Sequence, residues 1–165
     1  MFDTFLQLDG VPGEATDDKH KDWIELLSYS HDMMQPVSST KSSAGGASTG
    51  RTQHGDFAIT KFVDKASPKL YEAVSNGKHF SKAKIEVCRA GGNQVKFLEI
   101  TLEEVMVSSV SLGSNGHGKG GEELPTESVH LNYGKIEWTY TQQKRKDGSG
   151  GGNVTAKYDL TAGKS

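Results

Sequence analysis

The stretch AKIEVCRAGGN, residues 83–93, shows most directly which kind of fold this chain adopts. Its first seven residues alternate apolar and other side chains, which is the two-residue period of a half-buried β-strand. Its last four residues supply the small and glycine residues that a tight turn needs, so a hairpin is predicted. The partner run, residues 95–111, is longer than an ordinary strand, and this length predicts a bulge or bend near Glu103 and Glu104.

The same alternation recurs on both sides of this hairpin and makes the predicted fold mainly β. Further strands are predicted at residues 2–8, 23–33, 57–62, 128–141 and 154–160.

One segment has the period of a helix instead. Ser67 is the predicted N-cap, and Pro68 suits the first helical position because its missing N–H would have no partner there. Leu70, Ala73 and Val74 then form a short apolar stripe, and Gly77 supplies the left-handed residue that ends the helix. The sequence therefore predicts one short amphipathic helix that packs against the sheets.

Length and composition favour a single domain spanning residues 1–165. The formal net charge is −2, and the basic run at residues 144–146 is too short for many phosphate contacts, so nucleic-acid binding is not expected. No apolar run approaches the roughly 20 residues that cross a bilayer, so membrane insertion is not expected. The N-terminus lacks the pattern of a signal peptide. Cys88, the single cysteine, is predicted to be a buried, inert thiol.

Three sequence patterns could indicate a catalytic site, but the residues around each of them argue against it. GHGKGG at residues 116–121 fits a phosphate-binding string, but two glutamates and a proline stand where its helix should begin. Ser30, His31 and Asp32 are neighbours on a predicted strand and point to alternate faces, so they cannot form a relay. The paired carboxylates Glu103 and Glu104 fail for the same reason. We therefore expect no enzyme.

Metal and sugar sites are also not favoured. The six histidines show no metal-ligand spacing, and one cysteine cannot complete a zinc site, so solvated or loop histidines, no metal and no cofactor are expected. Trp23, Tyr29, Trp138 and Tyr140 allow a sugar-binding platform, but at strand spacing core or interface packing is favoured. A monomeric β-sandwich that binds carbohydrate remains the alternative function.

Several stretches, in this order, resemble the haemolysin-coregulated protein (Hcp) family of type VI secretion. They are FLQLDGVPGE (5–14), DKH (18–20), IELLSYS (24–30), ITKFVDKASPKL (59–70), GKHF (77–80), RAGG (89–92), FLEITL (97–102), VSSVS (107–111), ESVHLNYGKI (127–136) and WTY (138–140).

The resemblance implies a β-barrel of two sheets with one flanking helix, assembled as a homohexameric ring. It implies rings that stack into a tube, which a contractile sheath drives out under a spike protein. Effector proteins travel in the lumen, where the ring also chaperones them. Export from the cytoplasm through the machine itself needs no signal peptide.

Two surfaces are expected to carry this function. Ser28 and Ser30 share one face of their strand, and the resemblance places that face on the lumen wall, provided that Leu27 and Tyr29 pack into the barrel. The long polar loop at residues 38–55 is expected to contact the next ring through Lys41, Arg51 and His54. A second long loop, residues 113–121, receives no role.

Overall fold

The computed structural model describes residues 2–37, 50–91, 94–113, 124–144 and 150–165. The mainly β prediction is confirmed, with one helix in these ranges. The elements are β1 (Phe2–Leu8), β2 (Ile24–Leu26), β3 (Ser28–Ser30), β4 (Met33–Met34), β5 (Gln53–His54), β6 (Phe57–Phe62), α1 (Ser67–Asn76), β7 (His79–Arg89), β8 (Lys96–Gly113), β9 (Thr126–Asn132), β10 (Lys135–Gln143) and β11 (Gly150–Asp159). No helix in the described ranges is long and apolar enough to cross a membrane.

The strands form a nine-stranded sheet and a two-stranded one. The main path of the large sheet runs β2-β1-β7-β8-β9-β6-β3, with β10 paired to β8 and β11 paired to β10. The small sheet pairs β4 with β5. The two ends of the main path, β2 and β3, are separated along the chain only by Leu27. The sheet therefore curls back on itself, although no pairing between strands of the described ranges closes it.

This partner change corrects one predicted strand. We expected a continuous strand over residues 23–33, but the chain is divided there among β2, β3 and β4. β2 pairs with β1, whereas β3 pairs with β6. Apolar and polar residues alternate without interruption through this segment, because β2 and β3 both have the two-residue period of a strand. The local sequence pattern therefore does not show where the strand is broken.

The long strand β8 confirms its predicted bend. Glu104 has a positive φ of 56°, which is strained for a residue with a side chain. Before this point β8 pairs with β10, and after it with β9. Opposite, the predicted strand at 128–141 is interrupted at Tyr133 and Gly134, where any side chain on the glycine would collide with Glu104. The bend therefore lets one strand serve both halves of the sheet.

The predicted hairpin and helix are also present. β7 and β8 pair antiparallel from His79–Met106 to Cys88–Lys96, and residues 92 and 93 of the predicted turn lie outside the described residues. Gly77 has a φ of +64° and ends α1 as predicted. The predicted N-cap is one residue out: Ala66 occupies that position, because the Ser67 hydroxyl donates to Glu127 instead of capping the helix.

One apolar core lies between the curled sheet and α1. Its fully buried members include Leu6, Ile24, Phe57, Leu70, Ile85, Leu102 and Leu131, which come from seven different elements. At about 1.5–3 kcal/mol for each large apolar side chain removed from water, this core is the main stabilising contribution.

Candidate interaction surfaces

Ser28 and Ser30 lie on the outward face of the sheet. Their register partners on β6 are Thr60 and Ala58, and both serines are exposed. Tyr29 lies between them on the opposite face, where its ring stacks on buried Phe57 with centroids 5.9 Å apart. The structure thus places the two hydroxyls on the predicted side of the strand.

The expected packing of Leu27 is wrong. Its side chain is 51% exposed, although its N–H donates to Thr60 O at 2.8 Å. Leu27 stands between β2 and β3, where the chain changes partner, and belongs to neither strand. The alternation of side chains along a strand, which would have directed Leu27 into the core, therefore does not apply to this residue.

Large apolar side chains are exposed along the short segment that contains Leu27. This segment, residues 27–37, is called the apolar arm below, and its exposed apolar residues are Leu27, Tyr29, Met33, Met34 and Val37. Contiguous exposed apolar surface on a folded protein usually marks an interaction site. The arm is therefore the first candidate interface of this chain.

The loop residues predicted to contact another ring have different positions. Lys41 lies outside the described residues. Arg51 is exposed, and no ion pair joins it to the described part of the chain. His54 is not a free loop residue: it pairs with Met33 across the small sheet, and Tyr133 Oη lies 2.7 Å from its Nδ1.

His54 belongs to a cluster that joins the apolar arm to the main sheet. Tyr133 Oη also lies 2.7 Å from His31 Nε2, and the Tyr133 side chain is buried. When one hydroxyl between two imidazoles donates to one ring and accepts from the other, the ring that accepts must be neutral. We call His31, His54 and Tyr133 the histidine latch.

Burial explains the protonation of the latch. It lowers the pKa of both histidines, and for His31 the neighbouring His54 lowers it further against the opposing effects of Asp32 and Gly55. Burial also raises the pKa of Tyr133. All three groups are therefore neutral near pH 7, which is compatible with the shared hydrogen bonds.

A second polar cluster lies on the inner face, beneath α1. Lys61 and Glu127 are directly opposite on β6 and β9 and are both buried, with the ammonium bonded to the carboxylate. Ser67 Oγ donates to the same carboxylate at 2.6 Å, and Tyr71 donates to its other oxygen. Lys61 Nζ also lies 2.9 Å from Asp64 Oδ1. We call these residues the ionic cluster.

The electrostatics of the ionic cluster favour the ion pair. Burial acts to raise the pKa of Glu127, but hydrogen bonds from Lys61, Ser67 and Tyr71 outweigh it and hold the pKa below its usual range. The cluster fixes the first turn of α1 to two strands. Its central members, Lys61, Ser67 and Glu127, are buried and bonded to one another, which indicates a structural role.

Sequence reasoning missed both clusters. The alternation does contain a signal for the ionic one, since the inward positions of β6 are Phe57, Ile59 and Lys61 and those of β9 begin with Glu127. Opposite charges on two inward faces indicate a buried pair. Of the histidines expected to be solvated or in loops, His20 and His31 do lie in connecting segments, but His20 is buried and His31 bonds to Tyr133, whereas His54 lies in β5 and bonds to the same tyrosine.

The aromatic residues that suggested a sugar platform pack in different places. Trp23 contacts the His20 ring edge-on, and Trp138 packs against the core. Tyr29 stacks on Phe57. These contacts favour core and interface packing over a shared binding platform.

Comparison with known proteins agrees with the resemblance seen in the sequence. The family model of the type VI secretion system effector Hcp matches residues 5–140. The chain belongs to the Hcp family. Protein hcp1 of Pseudomonas aeruginosa is 41% identical to it over 96% of this chain and 94% of that protein. The major exported protein of the same organism is 29% identical over 78% of this chain and 74% of its own length.

The fold agrees as well. A solved structure of a type six secretion system protein superposes on this Hcp protein with a TM-score of 0.91 at 32% identity, and the match covers 99% of each chain. This Hcp protein is therefore a component of a type VI secretion system.

Proposed function

We propose that six copies of this Hcp protein close into a ring, that rings stack into the secretion tube, and that effector proteins occupy its lumen. In this proposal the tube leaves the cytoplasm under a spike protein when a contractile sheath fires, and the chain performs no catalysis. The name of the exported relative from Pseudomonas aeruginosa supports export. The single observation that supports assembly best is the exposed apolar arm.

Physical reasoning favours several copies over one. The inner face of the sheet is filled by apolar side chains, so one chain cannot itself be a conduit. A wide lumen needs copies joined by the same asymmetric contact, with a rotation that closes. The arm offers Met33 and Met34, whose flexible side chains adapt to a partner surface, beside short edge strands that a neighbour can cover.

The oligomeric state tests the proposal. Light scattering should give six times the 17.8 kDa of the chain, and electron microscopy should show rings. The double change Met33→Glu and Met34→Glu should dissociate the ring without unfolding the chain, because both side chains are already half exposed. Val154→Glu makes the same kind of change at an exposed apolar residue outside the arm and should leave the hexamer intact. A monomeric mass for the unmodified protein contradicts the proposal.

Within this proposal, Ser28 and Ser30 line the lumen. Small hydroxyls offer adaptable hydrogen bonds without the bulk or fixed charge that would trap cargo, and both are exposed on the outward face. Ser30→Gln would add bulk at six symmetric positions. We expect normal hexamers and a loss of effector co-purification; full retention of cargo, or a broken hexamer, would exclude the lumen assignment.

The proposal also keeps the loop at residues 38–55 as the contact between rings, through Lys41, Arg51 and His54. Because His54 is held in the histidine latch, only residues 38–49 should be shortened to a Gly-Ser linker, with Arg51→Ala as a second variant. Hexamers should persist while tubes and secretion fail. Normal secretion by both variants would remove this role.

A further inference from the structure

The outward face of β7 carries a cluster of potential ligands that the ring and tube contacts proposed above do not include. Glu86 and Cys88 are two residues apart and share this face, and part of the segment between β1 and β2, residues 9–23, covers it. This covering segment places His20 against the strand, where its ring stacks on Phe5 with centroids 4.2 Å apart. His20 is 2% exposed, and Cys88 is fully buried.

Both nitrogens of the buried His20 ring face carboxylates. Nδ1 lies 2.6 Å from Asp17 Oδ2, and Nε2 lies 2.6 Å from Glu86 Oε2. Each contact this short needs a hydrogen between its two atoms, so the Asp17, His20 and Glu86 group holds two protons.

The Cys88 thiol lies beside this group. The potential ligand atoms of His20, Glu86 and Cys88 all lie within 4.8 Å of one another. Among the described residues, no hydrogen bond joins the thiol to a partner. Burial, together with Glu86 and Asp17, raises the pKa of Cys88 to about 11, so without a cation the sulfur keeps its proton.

We propose that His20 Nε2, a Glu86 carboxylate oxygen and Cys88 Sγ bind one zinc ion, with Asp17 orienting the His20 ring. Nitrogen, oxygen and sulfur ligands together suit zinc, which accepts all three in tetrahedral sites. Histidines that bind metals usually donate their other ring N–H to a carboxylate, which is the arrangement of Asp17 and His20.

The geometry needs only a local adjustment. Tetrahedral ligands around zinc are separated by roughly 3.5 Å, so the 2.6 Å contact between His20 and Glu86 widens while the sulfur closes by up to about 1.3 Å. The fourth position faces a cavity of about 410 Å³ that Lys19, Gln94 and Lys96 help to line. This cavity has room for a water ligand.

Zinc binding leaves the net charge of the site unchanged, because one Zn²⁺ replaces two protons. One proton leaves His20 Nε2, and the other leaves the Cys88 thiol. The hydrogen between Asp17 and His20 Nδ1 stays. Lys96, which lies 3.3 Å from the other Glu86 oxygen, therefore faces the same net charge before and after binding. The bound ion would fasten the segment at residues 9–23 to the sheet.

Cobalt substitution tests the site directly. Protein stripped with a chelator is titrated with Co²⁺, which reports a thiolate ligand through a sulfur-to-metal charge-transfer band and a four-coordinate site through intense visible bands. We expect both bands at one Co²⁺ per chain and their loss when one equivalent of Zn²⁺ is added. Zinc should also raise the thermal midpoint of the stripped protein.

Three variants identify the ligands. Cys88→Ser, a nearly isosteric change, should abolish the charge-transfer band. Asp17→Asn should weaken zinc binding by about 10- to 100-fold while the band remains at saturation. His79→Gln, an exposed residue of the same strand, is the matched control and should bind like the unmodified protein.

The opposite outcomes overturn the proposal. Absence of the charge-transfer band, or its survival in Cys88→Ser, would show that the cluster is a set of polar contacts that binds no metal at these atoms, and an unchanged affinity in Asp17→Asn would exclude the orienting role of Asp17. Because the readouts are spectroscopic and thermal, they do not depend on whether the chain forms rings.

Discussion

The ionic cluster and the histidine latch both hold a peripheral segment to the same sheet, but they do so with opposite chemistry. The ionic cluster fixes α1 with a fully buried ion pair, whereas the latch holds the apolar arm with a neutral hydrogen-bonded trio. Removing one member of a buried ion pair leaves an uncompensated charge, which is far more costly than losing a neutral hydrogen bond.

The difference suits the two segments. Helix α1 covers the core through Leu70 and Ala73, so its release would expose the inner face. The arm covers little of the core and presents Met33 and Met34 outward. The ionic cluster therefore attaches α1, which completes the core, more strongly. The histidine latch attaches the apolar arm, which is proposed to contact a neighbouring copy, more weakly.

The largest expected effect comes from breaking the ion pair. Lys61→Met leaves Glu127 buried without its ammonium partner and should lower the free energy of unfolding by about 3–5 kcal/mol. The double change Lys61→Met and Glu127→Leu removes both charges and should recover most of the loss. Urea unfolding of both proteins measures this. A double variant as unstable as the single one would show that the ion pair itself stabilises the fold.

A smaller effect is expected from the latch. Tyr133→Phe removes the hydroxyl shared by His31 and His54 and should lower the free energy of unfolding by about 1–2 kcal/mol. Amide exchange should accelerate at Met33 and Met34 and remain slow in α1. Tyr140→Phe, at a half-exposed side chain, is the control and should change stability by less than about 0.5 kcal/mol. Faster exchange in the helix as well would mean that the two clusters are not independent.

The contrast also shows how far sequence reasoning reaches. Local patterns predicted the strands at 57–62 and 83–89, the bend at Glu104 and the end of the helix at Gly77, because each depends on neighbours along the chain. The breaks inside 23–33 and 128–141 depend on which strand lies alongside, and no local pattern carries that information.

The same limit applies to the candidate sites. The outward placement of Ser28 and Ser30 follows from the period of a strand and was predictable. The convergence of His31 and His54 on Tyr133 joins positions that are 102 and 79 residues apart, so spacing along the chain could not reveal it. Lys61 and Glu127 could be predicted in part. The alternation within each strand shows that both side chains point inward, but it does not show that the two residues lie opposite each other.

The smallest effect, and the one that separates the clusters most clearly, is their pH dependence. Burial lowers the pKa of His31 and His54 below the 6.5 of an unperturbed histidine. The unfolded chain therefore binds more protons than the folded one just below pH 6.5, and the stability from the latch, complete above that pH, is lost as the pH falls. The Asp32 carboxylate opposes this loss only in part, since the pKa of His31 remains lowered despite it.

The ionic cluster responds in a different pH range. Because the pKa of Glu127 lies below the 4.5 of an ordinary glutamate, its stabilisation is complete above pH 4.5 and is lost only in more acidic solution. Between pH 6.5 and 5, the protection factors of the Met33 and Met34 amides, which correct for the intrinsic pH dependence of exchange, should therefore fall while those of α1 stay high. In the His31→Gln and His54→Gln double variant, the protection factors of the arm should no longer change over this range. An arm whose exchange varies equally with pH in both proteins would show that the histidines do not control its attachment.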